Sequence, residues 1–248
     1  MKIALAVNSV VSDRAENLAN IIRLAQEAAV RGAHLVLFPE AAPTGLVNND
    51  DPEHDLPLGE TTRGRTIRKL RQLSSANLIW IGAGFLERSR RTLYDSAALI
   101  DPLGQILLKY RRISPGWHGK EADPLSYGHG EDVPVAETTF GRVGFLICGD
   151  LFDDGIVARL REKQPDLVLF PFARSFEDGS WDTERWERDE KWAYAERVEF
   201  LGATTLMVNY LSKIDGCFGG AMVVSPSGEI THELSPGDSG ILIGEVDV

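Results

Sequence analysis

Short apolar runs alternate with stretches of helical periodicity along the whole chain, which is the pattern of strands interleaved with helices. Lys2–Asn8 predicts a buried first strand. A helix follows, with Asp13 at its cap, Glu16 three residues on, and Leu18, Ile21, Ile22, Ala25, Ala28 and Ala29 at helical spacing up to Gly32. Leu35–Phe38 predicts a short second strand ending at Pro39-Glu40. A polar loop to about Gly59 leads into a basic helix over Thr61–Ala76. Strands are then expected at Leu78–Phe85, Thr92–Ile100 and Gln105–Arg111, joined by a polar turn at Glu87–Arg91 and by Asp101-Pro102-Leu103-Gly104.

An irregular loop over Ile113–Gly130 precedes strands at Val133–Thr139 and Arg142–Ile147, the second delivering Cys148. A helix near Gly155–Lys163, a strand at Leu167–Phe170, a charged helix over Thr183–Gly202 and a strand at Thr204–Asn209 come next. The chain closes with strands at Ala221–Val224, Glu229–Glu233 and Ile241–Val246. The first and third quarters are βαβ-like and the second and last carry hairpins, so mixed sheets covered by helices on one face each are expected.

Of 248 residues, 43% are hydrophobic and 25% charged, a globular composition that excludes a disordered chain. Without linker, low-complexity tract or repeat, the expectation is one domain over residues 1–248. A net charge of −11 argues against general affinity for nucleic acid or anionic membrane. No apolar run approaches the ~20 residues of a membrane helix. The apolar core of Met1–Asn8 is too short for a signal peptide. Two cysteines, Cys148 and Cys217, make no disulfide framework. A cytoplasmic protein is therefore expected.

Three strand ends carry candidate chemistry. Phe38-Pro39-Glu40 sets a carboxylate at a sheet rim, where α/β proteins hold ligands, although a solvent-facing turn residue reads the same way. Val143–Asp150 sends a buried strand into Cys148-Gly149, the pattern of an exposed nucleophile at a strand-to-helix corner. A buried packing cysteine also fits it. Lys109-Tyr110-Arg111-Arg112 crowds cations at a third strand exit, as a solvated edge also does. A thiol of pKa ~8.5 is only a few per cent thiolate at neutral pH, so a carboxylate and a cation beside it form a coherent set for acyl transfer.

These motifs resemble the nitrilase superfamily, the carbon–nitrogen hydrolases, over essentially the full length. Gly32–Glu40 with Gly45 resembles the segment of the general-base glutamate, and Gly141–Asp150 that of the nucleophile. Arg197-Val198-Glu199 is similar to a later helix signature; Asn209, Phe218-Gly219-Gly220 and Pro226–Glu229 are similar to the closing strands. The resemblance implies a four-layer αββα sandwich of two mixed sheets flanked by helices, a Glu–Lys–Cys triad, and pairing into a homodimer or higher homo-oligomer through the helices. It implies no cofactor.

One departure stands out. Tyr110-Arg111-Arg112-Ile113-Ser114-Pro115 matches a Tyr-Arg-Lys-Ile-x-Pro pattern, so Arg112 takes the place of the expected lysine. Strand alternation points Lys109 to the opposite face, so Lys109 serves as the cation only after a bulge or register slip. Lys120, in a loop, is a third candidate. Arginine binds oxyanions but does not shuttle protons, its pKa exceeding ~12. The second glutamate of the family pattern falls on Glu121, four residues past Trp117, with Asp123 as alternate and an ordinary loop residue as the plain reading.

No metal site is expected, because His34, His54, His118, His129 and His232 lack ligand spacing. Asn49–Asp55 reads as a solvated acidic loop. Gly82-Ala83-Gly84 lacks the helix of a phosphate cradle, and Cys217 reads as packing. Trp181, Trp186 and Trp192 are expected over the core or a dimer seam. Gly149, Arg174 and Trp117 are the candidate substrate-binding residues; Arg174 meets either a substrate carboxylate or a neighbouring acid. The expected activity is hydrolysis of a small non-peptide amide, nitrile or carbamoyl compound through a thioester on Cys148, with Glu40 as base and Arg112 as cation. A metabolite- or partner-binding module that keeps the sandwich is the alternative, motivated by Arg112. A metal-dependent phosphoesterase, another tenant of four-layer sandwiches, lacks its ligand pairs here.

Overall fold

The computed structural model describes residues 1–176 and 181–247. Among these, two mixed sheets stack face to face. The first sheet has the order β13-β1-β2-β3-β4-β5, with β6 beside β4. Its strands are β1 (Lys2–Val7), β2 (Leu35–Leu37), β3 (Trp80–Ser89), β4 (Thr92–Ile100), β5 (Ile106–Arg111), β6 (Tyr127–Gly128) and β13 (Gly240–Glu245). The second has the order β12-β11-β10-β9-β8-β7, built from β7 (Val135–Thr138), β8 (Gly141–Phe145), β9 (Leu167–Phe172), β10 (Thr204–Asn209), β11 (Ala221–Val224) and β12 (Ile230–Leu234).

In each sheet three parallel strands, β1-β2-β3 and β8-β9-β10, are flanked by antiparallel ones. Helices α1 (Arg14–Val30) and α3 (Arg65–Asn77) cover the outer face of the first sheet. Helices α4 (Asp154–Arg161) and α6 (Lys191–Leu201) cover the second. This is the αββα sandwich the sequence implied.

Strand alternation divides the core. Ile3, Leu5 and Val7 point between the sheets, whereas Ala4 and Ala6 meet Ile21, Leu24 and Ala28 of α1. Asp13 caps α1 by accepting from the amides of Ala15 (2.8 Å) and Glu16 (3.4 Å), and Gly32, at φ +76°, takes the chain out of it.

Most expected elements are present within a few residues, and the differences have identifiable causes. The polar turn expected at Glu87–Arg91 contracts to Arg90-Arg91, because Glu87 stays in β3 opposite Tyr94 and is held by cations of β5. The basic helix starts at Arg65 rather than Thr61, because Glu60 caps it through the Thr66 amide (2.8 Å) and hydroxyl (2.6 Å). The expected loop to Gly59 contains a short helix α2 (Pro52–Asp55). The long charged helix is interrupted. After α5 (Thr183–Arg185), Trp186–Glu190 widen into a π-helical turn before α6.

Candidate active site

The parallel strands of both sheets end at one rim, and there the site assembles. Glu40 leaves β2 through Pro39, clamped by the amide of Gly84 on the Pro39 carbonyl (3.0 Å) and the amide of Ala42 on the Gly84 carbonyl (3.2 Å). Gly84 is required there: a Cβ on it would lie 2.5 Å from the Glu40 Cα.

Cys148 follows β8 at the head of a 3₁₀ turn, Cys148–Phe152, with φ +46°. A side chain in the left-handed region costs on the order of 1–3 kcal/mol, a strain characteristic of residues aimed at reacting groups. The Cys148 Sγ lies 3.6 Å from the Ala173 carbonyl, just past β9. Asn209, at the end of β10, fixes that loop by accepting from the Arg174 amide (3.1 Å) and donating to the Arg174 carbonyl (3.0 Å).

Arg112 extends β5 by one residue, its amide donating to the Asp95 carbonyl at 2.8 Å. Its side chain shares the inward face with Leu108 and Tyr110 and is 4% exposed. Nη1 donates to Glu40 Oε1 at 2.9 Å, Nε to Ser114 Oγ at 3.0 Å and Nη2 to the Pro115 carbonyl at 3.1 Å. Asp95 Oδ2 lies 3.6 Å from the same Nη1.

Asp150 ties the nucleophile turn to the loop after β5. Its carboxylate accepts from the Ile147 amide (3.0 Å), the Tyr110 hydroxyl (2.7 Å) and the Ile113 and Ser114 amides (3.1 and 2.7 Å). Gly149 lets Arg112 and Ser114 approach the nucleophile turn closely, since a Cβ there would sit 2.7 Å from Arg112 Nη2 and 2.9 Å from Ser114 Oγ.

Burial governs the electrostatics. Desolvation, reinforced by the charge of Cys148, pushes the Glu40 carboxyl up to about 8 against the pull of Arg112. Glu40 and Asp95 both face Arg112 Nη1, at 2.9 and 3.6 Å, and the charge of Cys148 acts on Glu40. Desolvation and the Glu40 charge raise the Asp95 carboxyl well above its ordinary value. Burial works against the Arg112 cation, but Cys148, Glu40, Asp95 and Asp150 together outweigh it and raise its pKa.

Of the residues singled out from sequence, Glu40, Arg112, Cys148 and Gly149 come together. Lys109 does not: it sits on the outer face, bonded to Glu87 Oε1 at 2.7 Å, because the hairpin register is regular at that point. Lys120 and Glu121 are exposed in the loop after β5. Asp123 caps the turn before β6 through the Leu125 amide (3.0 Å) and Ser126 hydroxyl (2.7 Å).

Arg174 meets a neighbouring acid, forming two 2.8 Å bonds to Glu190, so its expected contact with a substrate carboxylate is already occupied. Trp117 is 3% exposed and packs on Tyr127 and Leu86, its carbonyl accepting from Asn48. Cys217 is buried with Val10 and Tyr210, as packing requires. The acidic loop folds around Asp55, which accepts from the Asn49 and Asp50 amides and the Tyr127 hydroxyl. Trp186 is buried in the core and Trp192 is exposed.

Asp95, Asp150, Ser114 and Asn209 had no assigned role in the sequence. Asp95 had a signal, a charged residue on the strand face shared with Ala97 and Leu99.

Two sheets stacked face to face, with a carboxylate, a cation and a cysteine at their shared rim, define a protein of the nitrilase-like sandwich class. The carbon-nitrogen hydrolase family model matches residues 2–248, and the chain belongs to that family. It is 25% identical over 244 residues to the nitrilase and fragile histidine triad fusion protein NitFhit of Drosophila melanogaster, covering 96% of this chain and 51% of that protein. It thus spans about half that relative's length. It is 27% identical over 243 residues to omega-amidase NIT2 of Xenopus tropicalis, covering 95% of this chain and 84% of that protein. An amidase from Nesterenkonia sp. shares the fold with a TM-score of 0.81 at 23% identity, over 100% of this chain and 90% of that one.

Among the described residues, no helix is long and apolar enough to cross a membrane. No group of three or more His, Cys, Asp or Glu among them is placed to hold a metal ion.

Proposed function

We propose that this chain hydrolyses the C–N bond of a small non-peptide amide through a thioester on Cys148. The observation that carries the reading is the convergence on one rim of Glu40, bonded by Arg112 at 2.9 Å, and a strained Cys148 whose charge acts on the Glu40 carboxyl. Glu40 takes the thiol proton as Sγ bonds to the carbonyl carbon, and the carbonyl oxygen becomes an oxyanion. Arg112 and the Gly149 amide, beside the sulfur, are the donors for that charge. Glu40 returns the proton to the departing nitrogen as the C–N bond breaks. It then deprotonates the water that cleaves the thioester. Relatives support the substrate class: a Glu-to-Gln mutant of the Nesterenkonia amidase carries the acetamide moiety of fluoroacetamide on its active-site cysteine, and a Cys-to-Ala mutant of it is in complex with butyramide.

The test is ammonia release from short aliphatic amides by the native chain and by Cys148→Ala. Release that is abolished by the substitution supports the reading. Equal alkylation of Cys148 and Cys217 by iodoacetamide in the folded protein counts against an activated nucleophile. A binding module is the second reading, favoured by a guanidinium where a transferable proton is expected. Tight binding of an amide without turnover, unchanged in Cys148→Ala, decides for it. Pairing into a homodimer fits the half-exposed Phe152, Trp192 and Phe200 on and beside α6. Light scattering of a Trp192→Glu variant checks it.

A further inference from the structure

The reaction proposed above leaves one buried group without a task. Asp95 is fully buried on the inward face of β4, opposite Arg112 across the β4–β5 pairing. Among the described residues, neither of its carboxyl oxygens has a hydrogen-bond partner from an N–H or hydroxyl donor, and Glu40 Oε2 is equally buried and equally without one. A buried carboxylate with no donor is among the costliest arrangements in a protein interior. Two such groups side by side resolve the cost by sharing a proton, one carboxyl donating to the other.

The guanidinium shows which carboxyl is the anion. Arg112 Nη1 bonds Glu40 at 2.9 Å, a charge-assisted distance, but stands off from Asp95 at 3.6 Å. Charge counting agrees. Around Asp95 lie Glu40 from the end of β2, Asp150 from the turn after β8, and Tyr110 and Arg112 from β5 and its extension. Among these described residues, Arg112 alone is a cation.

We infer that Asp95 is a positioning residue: it stays a neutral carboxylic acid and donates its O–H to Glu40, which keeps Glu40 the carboxylate of the pair. This rests on the amidase reading for its consequence, though not for the protonation state. No covalent bond to Asp95 forms or breaks. When Glu40 receives the thiol proton, it loses the benefit of the Asp95 donor, so protonated Glu40 is a stronger acid toward the leaving nitrogen. The proton that reaches the leaving nitrogen is the one Glu40 took from the thiol, so the guanidinium need release none.

Infrared difference spectroscopy of the uncomplexed protein above pH 8, where Glu40 has ionised, reads Asp95 directly. A protonated-carboxyl C=O band is expected there, present in the native chain and in Glu40→Gln, and missing in Asp95→Asn. Absence of the band from both native protein and Glu40→Gln overturns the inference, whether or not any amide is cleaved.

The pH dependence of Cys148 alkylation by iodoacetamide gives the second readout, again without turnover. Asp95→Asn keeps an N–H donor and leaves the acid limb within about half a pH unit of native. Asp95→Leu removes the donor and moves the limb upward by about one unit, with kcat/KM on amides down about a hundredfold. A downward move of a unit or more in Asp95→Asn means that Asp95 was an anion, and the inference fails.

Discussion

The β4–β5 hairpin carries two charge clusters of similar composition on its opposite faces, and they behave oppositely. On the outer face Glu87 is held by Lys109 at 2.7 Å and by Arg111 at 2.9 Å, with Arg111 also 3.6 Å above the Tyr94 ring. On the inner face Glu40 and Asp95 share Arg112. Burial pushes Glu87 upward, but two cations outweigh it and hold its carboxyl below the ordinary value. Burial wins on the inner face, where Glu40 is pushed up to about 8. The outer cluster has two cations per acid and is partly exposed at Lys109 and Arg111. The inner has one cation and several acids, all of them buried. An excess of cations makes a structural ion pair; a shortage of them makes a proton store.

The comparison breaks most visibly at the sulfur. Cys148→Ala abolishes amide turnover, by about 10⁴-fold or more, measured as ammonia release. Next in size, Arg112→Met leaves two buried acids uncompensated. It is expected to cost about 3–5 kcal/mol in denaturant unfolding and at least a hundredfold in kcat/KM. Arg112→Lys keeps the fold and a measurable rate.

The pH dependences of the two faces have opposite signs. Glu40 binds its proton more tightly folded than unfolded, so between about 4.5 and about 8 the native state holds more protons and stability falls as pH rises. Glu40→Gln removes that decline, raising Tm at pH 8 by roughly 4 °C with little change near pH 5. The same substitution is inactive, and kcat/KM of the native chain rises with pH through an acid limb near 8. Glu87 is depressed, so its stabilisation is present above its unfolded value and lost as pH falls through the folded one. Glu87→Gln therefore lowers Tm at pH 7, and the difference vanishes in acid.

Smallest of all, Lys109→Met is expected to change kcat/KM less than threefold and stability by about 1 kcal/mol or less, because its side chain is a third exposed and Glu87 keeps Arg111. A large loss of rate in Lys109→Met, with Arg112→Met mild, reverses the assignment of the two faces.

Local signals in the chain determined a good deal. Alternation along Lys109–Arg112 separates the two faces before any coordinates exist, since a strand residue's side is set by parity. The strand ends at Glu40 and Cys148 were readable because a buried run followed by Pro-Glu or Cys-Gly is a local pattern. The caps of α1 and the strands Thr92–Ile100, Thr204–Asn209 and Ala221–Val224 are likewise local. What tertiary structure alone decided is which charges share a desolvated volume. Asp95 is 55 residues from Glu40 along the chain and Asp150 lies 36 from Ser114, so no window of sequence contains either pair. Loop residues such as Glu121 and Arg174 have no parity rule, and their partners depend on how distant segments close over the rim. A carboxyl's proton is governed by the water and charges around it in space, and those are fixed only when the two sheets meet.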